Sequence, residues 1–134
     1  MLLLVTRALG LASMTSSTRL SKAEEGRLAL MAQDEQRLQA VKERVALELE
    51  RPPTAAEWAA SAGETVAGLQ KRRVVARQAR NELVEANVPV VKAIAGQFRS
   101  VDREELQQEG VLGLIHAVGK FDATRGLRFS TYAS

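Results

Sequence analysis

The stretch Asp102-Arg103-Glu104-Glu105-Leu106-Gln107-Gln108-Glu109-Gly110-Val111-Leu112-Gly113-Leu114-Ile115-His116-Ala117-Val118-Gly119-Lys120-Phe121 decides the fold. Asp102 to Glu105 has the form of a capping box, in which a side-chain oxygen and a carboxylate three residues on satisfy backbone donors left unpaired at a helix start. A helix from here to about Lys120 places Leu106, Gly110, Gly113, Leu114, Ala117 and Phe121 on one face, at about 100° per residue. Gly110 and Gly113 let another helix backbone come close, which offsets a propensity cost of roughly 1 kcal/mol each. The opposite face carries Glu105, Gln108, Glu109, Leu112, Ile115 and His116. Leu112 and Ile115 do not belong on a face that meets only water. An apolar centre with acidic rim groups has the form of a partner site. Burial of these residues within the domain's own core is the other reading.

Beyond Phe121 the helical pattern breaks. Asp122-Ala123-Thr124-Arg125-Gly126 reads as a loop, and Leu127-Arg128-Phe129-Ser130-Thr131-Tyr132 mixes cations, aromatics and hydroxyls. Lys120, Arg125 and Arg128 can hold phosphates, and each such contact releases counterions and makes affinity salt-dependent. Phe121, Phe129 and Tyr132 can stack on bases that have left a duplex, at about 1–3 kcal/mol per base. Unstacking a base costs a few kcal/mol, so a few aromatics suffice to hold open DNA that has breathed. Against this stands a structural role, with Phe121 and Phe129 in the core and the cations solvated.

Upstream, similar punctuation predicts more helices. Ser21-Lys22-Ala23-Glu24 is a capping box that opens a long helix to about Arg51, with Leu28, Met31, Leu38, Val41, Val45 and Leu49 on one stripe. Pro52-Pro53 ends it, because a residue before proline avoids helical geometry. Thr54-Ala55-Ala56-Glu57 starts a short helix holding Trp58, with Gly63 as a left-handed stop. Trp58, the single tryptophan, reads as the anchor of a small core. Thr65 caps a third helix to about Ala86, with Leu69, Val75, Leu83 and Val84 as its apolar positions. Asn87 is placed to cap the next helix, with Pro89 in its first turn. Val91, Ile94, Ala95 and Phe98 follow at helical spacing and read as core. No segment demands a strand. The fold class is all-α, a bundle of about five helices without a sheet.

The 134 residues make one domain or less, and three prolines leave most of the chain free to be helical. Composition sets a leader over 1–20 apart from the rest. No acidic residue precedes Glu24, while Arg7, Arg19 and several hydroxyl residues do. That suits an organelle transit segment or a plain leader. Met1 to Val5 is too short to span a bilayer. Lys71, Arg72, Arg73, Arg77 and Arg80 crowd one stretch, while Asp102, Glu104, Glu105 and Glu109 crowd another. Either these meet a polyanion and a basic protein surface respectively, or they are solvated helix faces.

Catalytic and cofactor chemistry finds little support. There is no cysteine and His116 is the single histidine, so no zinc set can form. No Gly-rich phosphate loop lies between a strand and a helix. Glu104 and Glu105 suit a first helical turn better than acid–base work. The expectation is a protein with no catalytic residues, no metal, no cofactor and no small-molecule substrate.

Taken together, these residues resemble the sigma-70 family of RNA polymerase sigma factors. The likeness begins faintly at Arg19 to Glu25 and strengthens from Leu49 through Pro52-Pro53 to Trp58. It becomes close from Ala79-Arg80-Asn81-Glu82-Leu83-Val84-Glu85-Ala86-Asn87 to Ala133. It covers about residues 19–134, as regions 1.2 to 2.3 of cyanobacterial or plastid factors, with a specific signal over roughly the last 55, and it implies a region 1.2-like part with a connecting helix over 21–78 and an incomplete region 2 core over 79–134. The resemblance implies a noncatalytic initiation subunit of a bacterial cytoplasm or a plastid. On this likeness Glu105, Gln108, Glu109, Leu112 and Ile115 dock on a coiled coil of the largest subunit of core RNA polymerase. Lys120, Phe121, Asp122, Arg125, Arg128, Phe129, Thr131 and Tyr132 hold the opened non-template strand of the promoter minus-ten element. The part before Trp58 is similar to a segment lying near the DNA just downstream. The pattern departs at Val111, where the family usually has a docking asparagine, and at Glu105, usually Asp. Ala123 and Leu127 replace aromatics, and the connection from Phe98 to Glu105 is shorter. The family pattern continues past Ser134, so the resemblance implies truncation before the end of region 2. The alternatives are a polymerase-binding helical module without promoter activity, or a generic helical DNA-binding regulator.

Overall fold

Ser21, Thr54, Thr65 and Asp102 each turn a side-chain oxygen onto a backbone N–H two or three residues on, and a helix follows every one. The structure is a computed structural model that describes residues 20–98, 102–126 and 128–129. Its elements are α1 (Lys22–Leu49), α2 (Ala55–Ser61), α3 (Val66–Ala86), α4 (Val88–Ala95) and α5 (Arg103–Lys120), followed by a short 3-10 turn (Ala123–Arg125). No strand occurs among the described residues, so the fold is all-α as the periodicity predicts.

The box at Thr54 closes in both directions. Thr54 Oγ1 accepts from the Glu57 N–H at 3.2 Å, and Glu57 Oε1 accepts from the Thr54 N–H at 2.9 Å. Arg51 clamps the same carboxylate through two bonds of 2.9 and 2.8 Å. The guanidinium, with the Thr54 backbone and hydroxyl, holds the Glu57 carboxyl down at about 2. This cluster fixes the turn after Pro52-Pro53. At the far end of α2, Gly63 takes a φ of 75°, and Glu64 N–H reaches the Ala59 carbonyl at 2.8 Å. That is the left-handed stop expected there.

α1 and α3 run antiparallel and share two cores. The smaller joins Leu38 of α1, Trp58 and Ala59 of α2, and Leu69 of α3. Trp58 Nε1 donates to the Leu38 carbonyl at 2.8 Å, while Lys42 and Arg73 lie 4.8 and 4.9 Å from the ring centroid. The indole is thus an internal anchor. The larger core gathers Leu28 and Ala29 of α1, Leu83 and Val84 of α3, Val91 of α4, and Val111, Leu114 and Val118 of α5, with Phe121 and Phe129. α3 passes unbroken from one core to the other.

Several expectations change. Asn87 does not cap α4. Its amide reaches back into the preceding helix and donates to the Leu83 carbonyl at 2.8 Å, because the chain passes from α3 to α4 with almost no loop. Val75 is exposed, and the close approach of α1 is served by the small residues Ala76 and Ala79 instead. Ile94 and Phe98 are not core. α4 ends at Ala95, so Phe98 lies past the helical stripe and is 48% exposed. Gly110 does take a close approach: a Cβ there would stand 2.6 Å from Val91 Cγ1 of α4. Gly113 faces open space.

The basic stretch of α3 is partly spent on α1. Arg72 makes a two-pronged pair with Asp34 at 2.7 and 3.0 Å, and Arg73 Nε meets Glu35 at 3.1 Å. The Arg72 guanidinium holds the Asp34 carboxyl below its usual range. These two arginines are thus half-buried ion-pair partners of α1 rather than parts of a solvated helix face.

Glu85, near the end of α3, is strained electrostatically. Its Oε2 is buried with no hydrogen-bond partner among the described residues, and burial together with nearby Glu82 raises its carboxyl above the ordinary glutamate range. A raised pKa in the folded state means the unfolded chain gives up this proton first. Stability is therefore lost as pH rises through that window. Glu85→Gln is expected to raise the melting temperature at neutral pH. The gain should vanish in acid, where Glu85 is itself protonated, and thermal melts at both pH values check this.

Candidate functional site

α5 divides cleanly around its axis. Val111, Leu114, Ala117 and Val118 form the buried side. The outward stripe carries Glu105, Gln108, Glu109 and Leu112 at successive turns, with Ile115 at its edge. Leu112 is 58% exposed, although a leucine here could have packed inward had the helix been turned. Gln108 is half-buried, and Glu105 and Glu109 are exposed. Ile115 is half-buried and leans on the larger core, so it supports the stripe from beneath. Val111 is 0% exposed. Its side chain belongs to the core and adds nothing to the outward stripe. The cap at Asp102 sets the rotation, its Oδ1 accepting from the Glu104 N–H at 2.9 Å and the Glu105 N–H at 3.4 Å.

At the other end of α5 the chain leaves the helix through Phe121 in extended geometry and enters the tip. Asp122 shapes the turn, accepting from the Thr124 N–H at 2.9 Å and from the Thr124 hydroxyl. These bonds hold its carboxyl below the usual range. Lys120, Asp122 and Arg125 are exposed. Phe121 and Phe129 are not. Phe129 is 0% exposed and Phe121 is buried, their rings meeting edge to face at 5.4 Å and 82°. Burial removes both faces from any base, so direct stacking by Phe121 and Phe129 is corrected to packing beneath the tip. Thr131 and Tyr132 lie outside the described residues.

Arg128 is tied inward. Its Nε donates to Glu25 Oε1 at 2.9 Å, its Nη2 to the same oxygen at 2.6 Å, and Nη2 also reaches the Leu20 carbonyl. Glu25 Oε2 accepts from the Phe129 N–H at 2.7 Å. Glu25 is 2% exposed, so this carboxylate is a buried charge whose partners all come from the tip. One residue on, a Cβ added to Gly26 would stand 2.9 Å from the Ala123 Cβ. The first turn of α1 therefore lies flat against the 3-10 turn. Sequence reading did not single out Glu25 for this role. No local pattern marks it, since its partners are 103 and 104 residues away.

Among the described residues, no group of three His, Asp or Glu side chains is placed to hold a metal, and no helix is long and apolar enough to cross a membrane. The geometry offers instead two surfaces on one helix, an acidic stripe with an apolar centre and a cationic tip over a buried aromatic pair. Residues 83–134 match the family model for sigma-70 region 2. The chain is 36% identical over 131 residues to the RNA polymerase sigma factor SigA of Nostoc sp. (strain PCC 7120), covering 88% of this chain and 34% of the relative. It is 34% identical to SigA1 of Synechococcus elongatus, covering 88% and 33%. It is 33% identical to the sigma factor sigB of Arabidopsis thaliana, covering 89% and 21%. The chain thus spans about a third of the cyanobacterial relatives and about a fifth of the plant one. Through the region 2 match and the similarity that continues upstream along α1 to α3, the chain belongs to the sigma-70 family of RNA polymerase sigma factors.

Proposed function

We propose that the chain acts as a noncatalytic initiation factor in a bacterial cytoplasm or a plastid, docking on core RNA polymerase and supporting minus-ten recognition and melting. The observation that carries this reading is the exposed Leu112 at the centre of an acidic stripe on α5. Glu105, Gln108, Glu109 and Leu112 are the docking residues, with Ile115 beneath them, and the largest-subunit coiled coil is the partner surface. At the tip, Lys120 and Arg125 supply phosphate contacts. Thr131 and Tyr132 supply the base contacts, and the buried Phe121–Phe129 pair packs beneath the described part of the tip. Asp122 orients the turn that carries Arg125.

Pull-down with core polymerase tests the docking. Glu109→Lys and Leu112→Glu are expected to abolish retention, while their melting temperatures stay near wild type, because exposed positions away from caps and cores usually shift stability by within about 0.5 kcal/mol. Gln108→Ala should weaken retention less. A wild-type chain that never associates with core polymerase ends the reading.

A second reading is favoured by the inward pairing of Arg128 and the burial of both phenylalanines: a polymerase-binding module without promoter activity. A minus-ten-like single strand carrying 2-aminopurine separates the two. Binding that weakens in Tyr132→Ala and in rising salt supports strand capture. Equal binding by wild type and Tyr132→Ala favours the module.

A further inference from the structure

Gln33 sits on the fourth turn of α1, far in sequence from the tip. Its Nε2 donates to two carbonyls, Val118 O and Phe121 O, each at 2.9 Å. The last four carbonyls of a helix lack intrahelical partners. α5 leaves through an extended Phe121 rather than a left-handed residue, so the usual backbone bonds that close a helix end are missing. A primary amide carries two N–H donors on one nitrogen, and Gln33 spends both here. With two acceptors facing it, one orientation of the amide is usable. The side chain thereby closes the end of α5 from another helix, at the joint where the chain turns into the tip.

The same helix touches the tip at two further points, through Glu25 to Arg128 and Phe129 and through Gly26 to Ala123. Those contacts hold the far side of the tip. Gln33 alone among them grips the joint itself. We infer that Gln33 is a positioning residue for strand capture, setting the direction in which the tip leaves α5, although it lies outside the stretch that matches region 2. This rests on the strand-binding reading given above. Gln33 touches no DNA in this scheme. It acts through the carbonyls of Val118 and Phe121.

The test measures binding of the full chain to a minus-ten-like single strand carrying 2-aminopurine. Gln33→Met keeps the length and removes the donors, and is expected to bind about tenfold more weakly. Gln33→Lys restores a donor to both carbonyls and is expected to bind within about twofold of wild type. Ala40→Lys, which adds the same charge at an exposed position seven residues on, should leave binding unchanged, so that rescue by Gln33→Lys cannot be a charge effect. Retention on core polymerase should be the same for all four proteins. If Gln33→Met does not fold, Gln33→Glu replaces it, since a carboxylate keeps the size but only accepts, and the same loss is expected. Wild-type affinity in Gln33→Met, or no rescue in Gln33→Lys, overturns the inference while leaving strand capture intact. No binding by wild type overturns strand capture itself, and the inference with it.

Discussion

Phe129→Ala is expected to destabilise the fold by about 4 kcal/mol, the range for emptying a fully buried phenylalanine site. The ring has no solvent exposure and meets Phe121 edge-on. Its loss opens a cavity where α1, α5 and the tip converge, and it removes the edge-on ring contact to Phe121. Phe129→Leu keeps an apolar plug and should cost less than half as much. Urea denaturation measures both, with a constant slope showing that the unfolded state is unchanged. Were the ring a solvent-facing base platform, Phe129→Ala would melt within about 0.5 kcal/mol of wild type.

Glu25→Ala should cost about 2 kcal/mol, because Arg128 loses its carboxylate, although water reaches its side chain, which is 33% exposed. Here it also leaves the Phe129 N–H without its acceptor. Arg128→Ala is expected to be nearly as harmful, since it strands a carboxylate that is 2% exposed. The pair Glu25→Leu with Arg128→Met should recover much of the loss, as apolar side chains of similar volume commonly replace a buried ion pair at little cost. Recovery stays incomplete while the Phe129 amide remains unpaired. A double-mutant cycle by urea melts reads the coupling directly. Additive losses would show that Glu25 and Arg128 act separately.

What the sequence discloses here follows the range of each interaction. The caps at Ser21, Thr54, Thr65 and Asp102 are made with backbone groups two or three residues away, so the residues that make them are visible side by side. The outward stripe of α5 follows from rotation alone, and Leu112 stands exposed where 100° per residue puts it. Asn87 misleads because the same amide that caps one helix can instead reach the Leu83 carbonyl of the helix before it. Phe98 misleads because apolar spacing does not show where α4 stops, and Ile94, inside α4, stands on its exposed side. Gly110 and Gly113 look alike in sequence, yet Val91 stands against the first and nothing against the second. At the tip the obstacle is distance. The aromatics suit a base or a core equally well, and what decides for the core is Glu25, which no local pattern connects to Phe129.

The span between Glu25 and Phe129 also orders events on the ribosome. At about 5–20 residues per second, a chain that has just made Glu25 waits roughly 5 to 20 s for the residue that satisfies it, 104 positions later. A carboxylate without its partner resists burial, so the start of α1 stays solvated through that interval. The α1–α3 pairing around Trp58 can close during synthesis, because Arg72 and Arg73 reach Asp34 and Glu35 much earlier. The first turn of α1 is therefore made well before it can be buried.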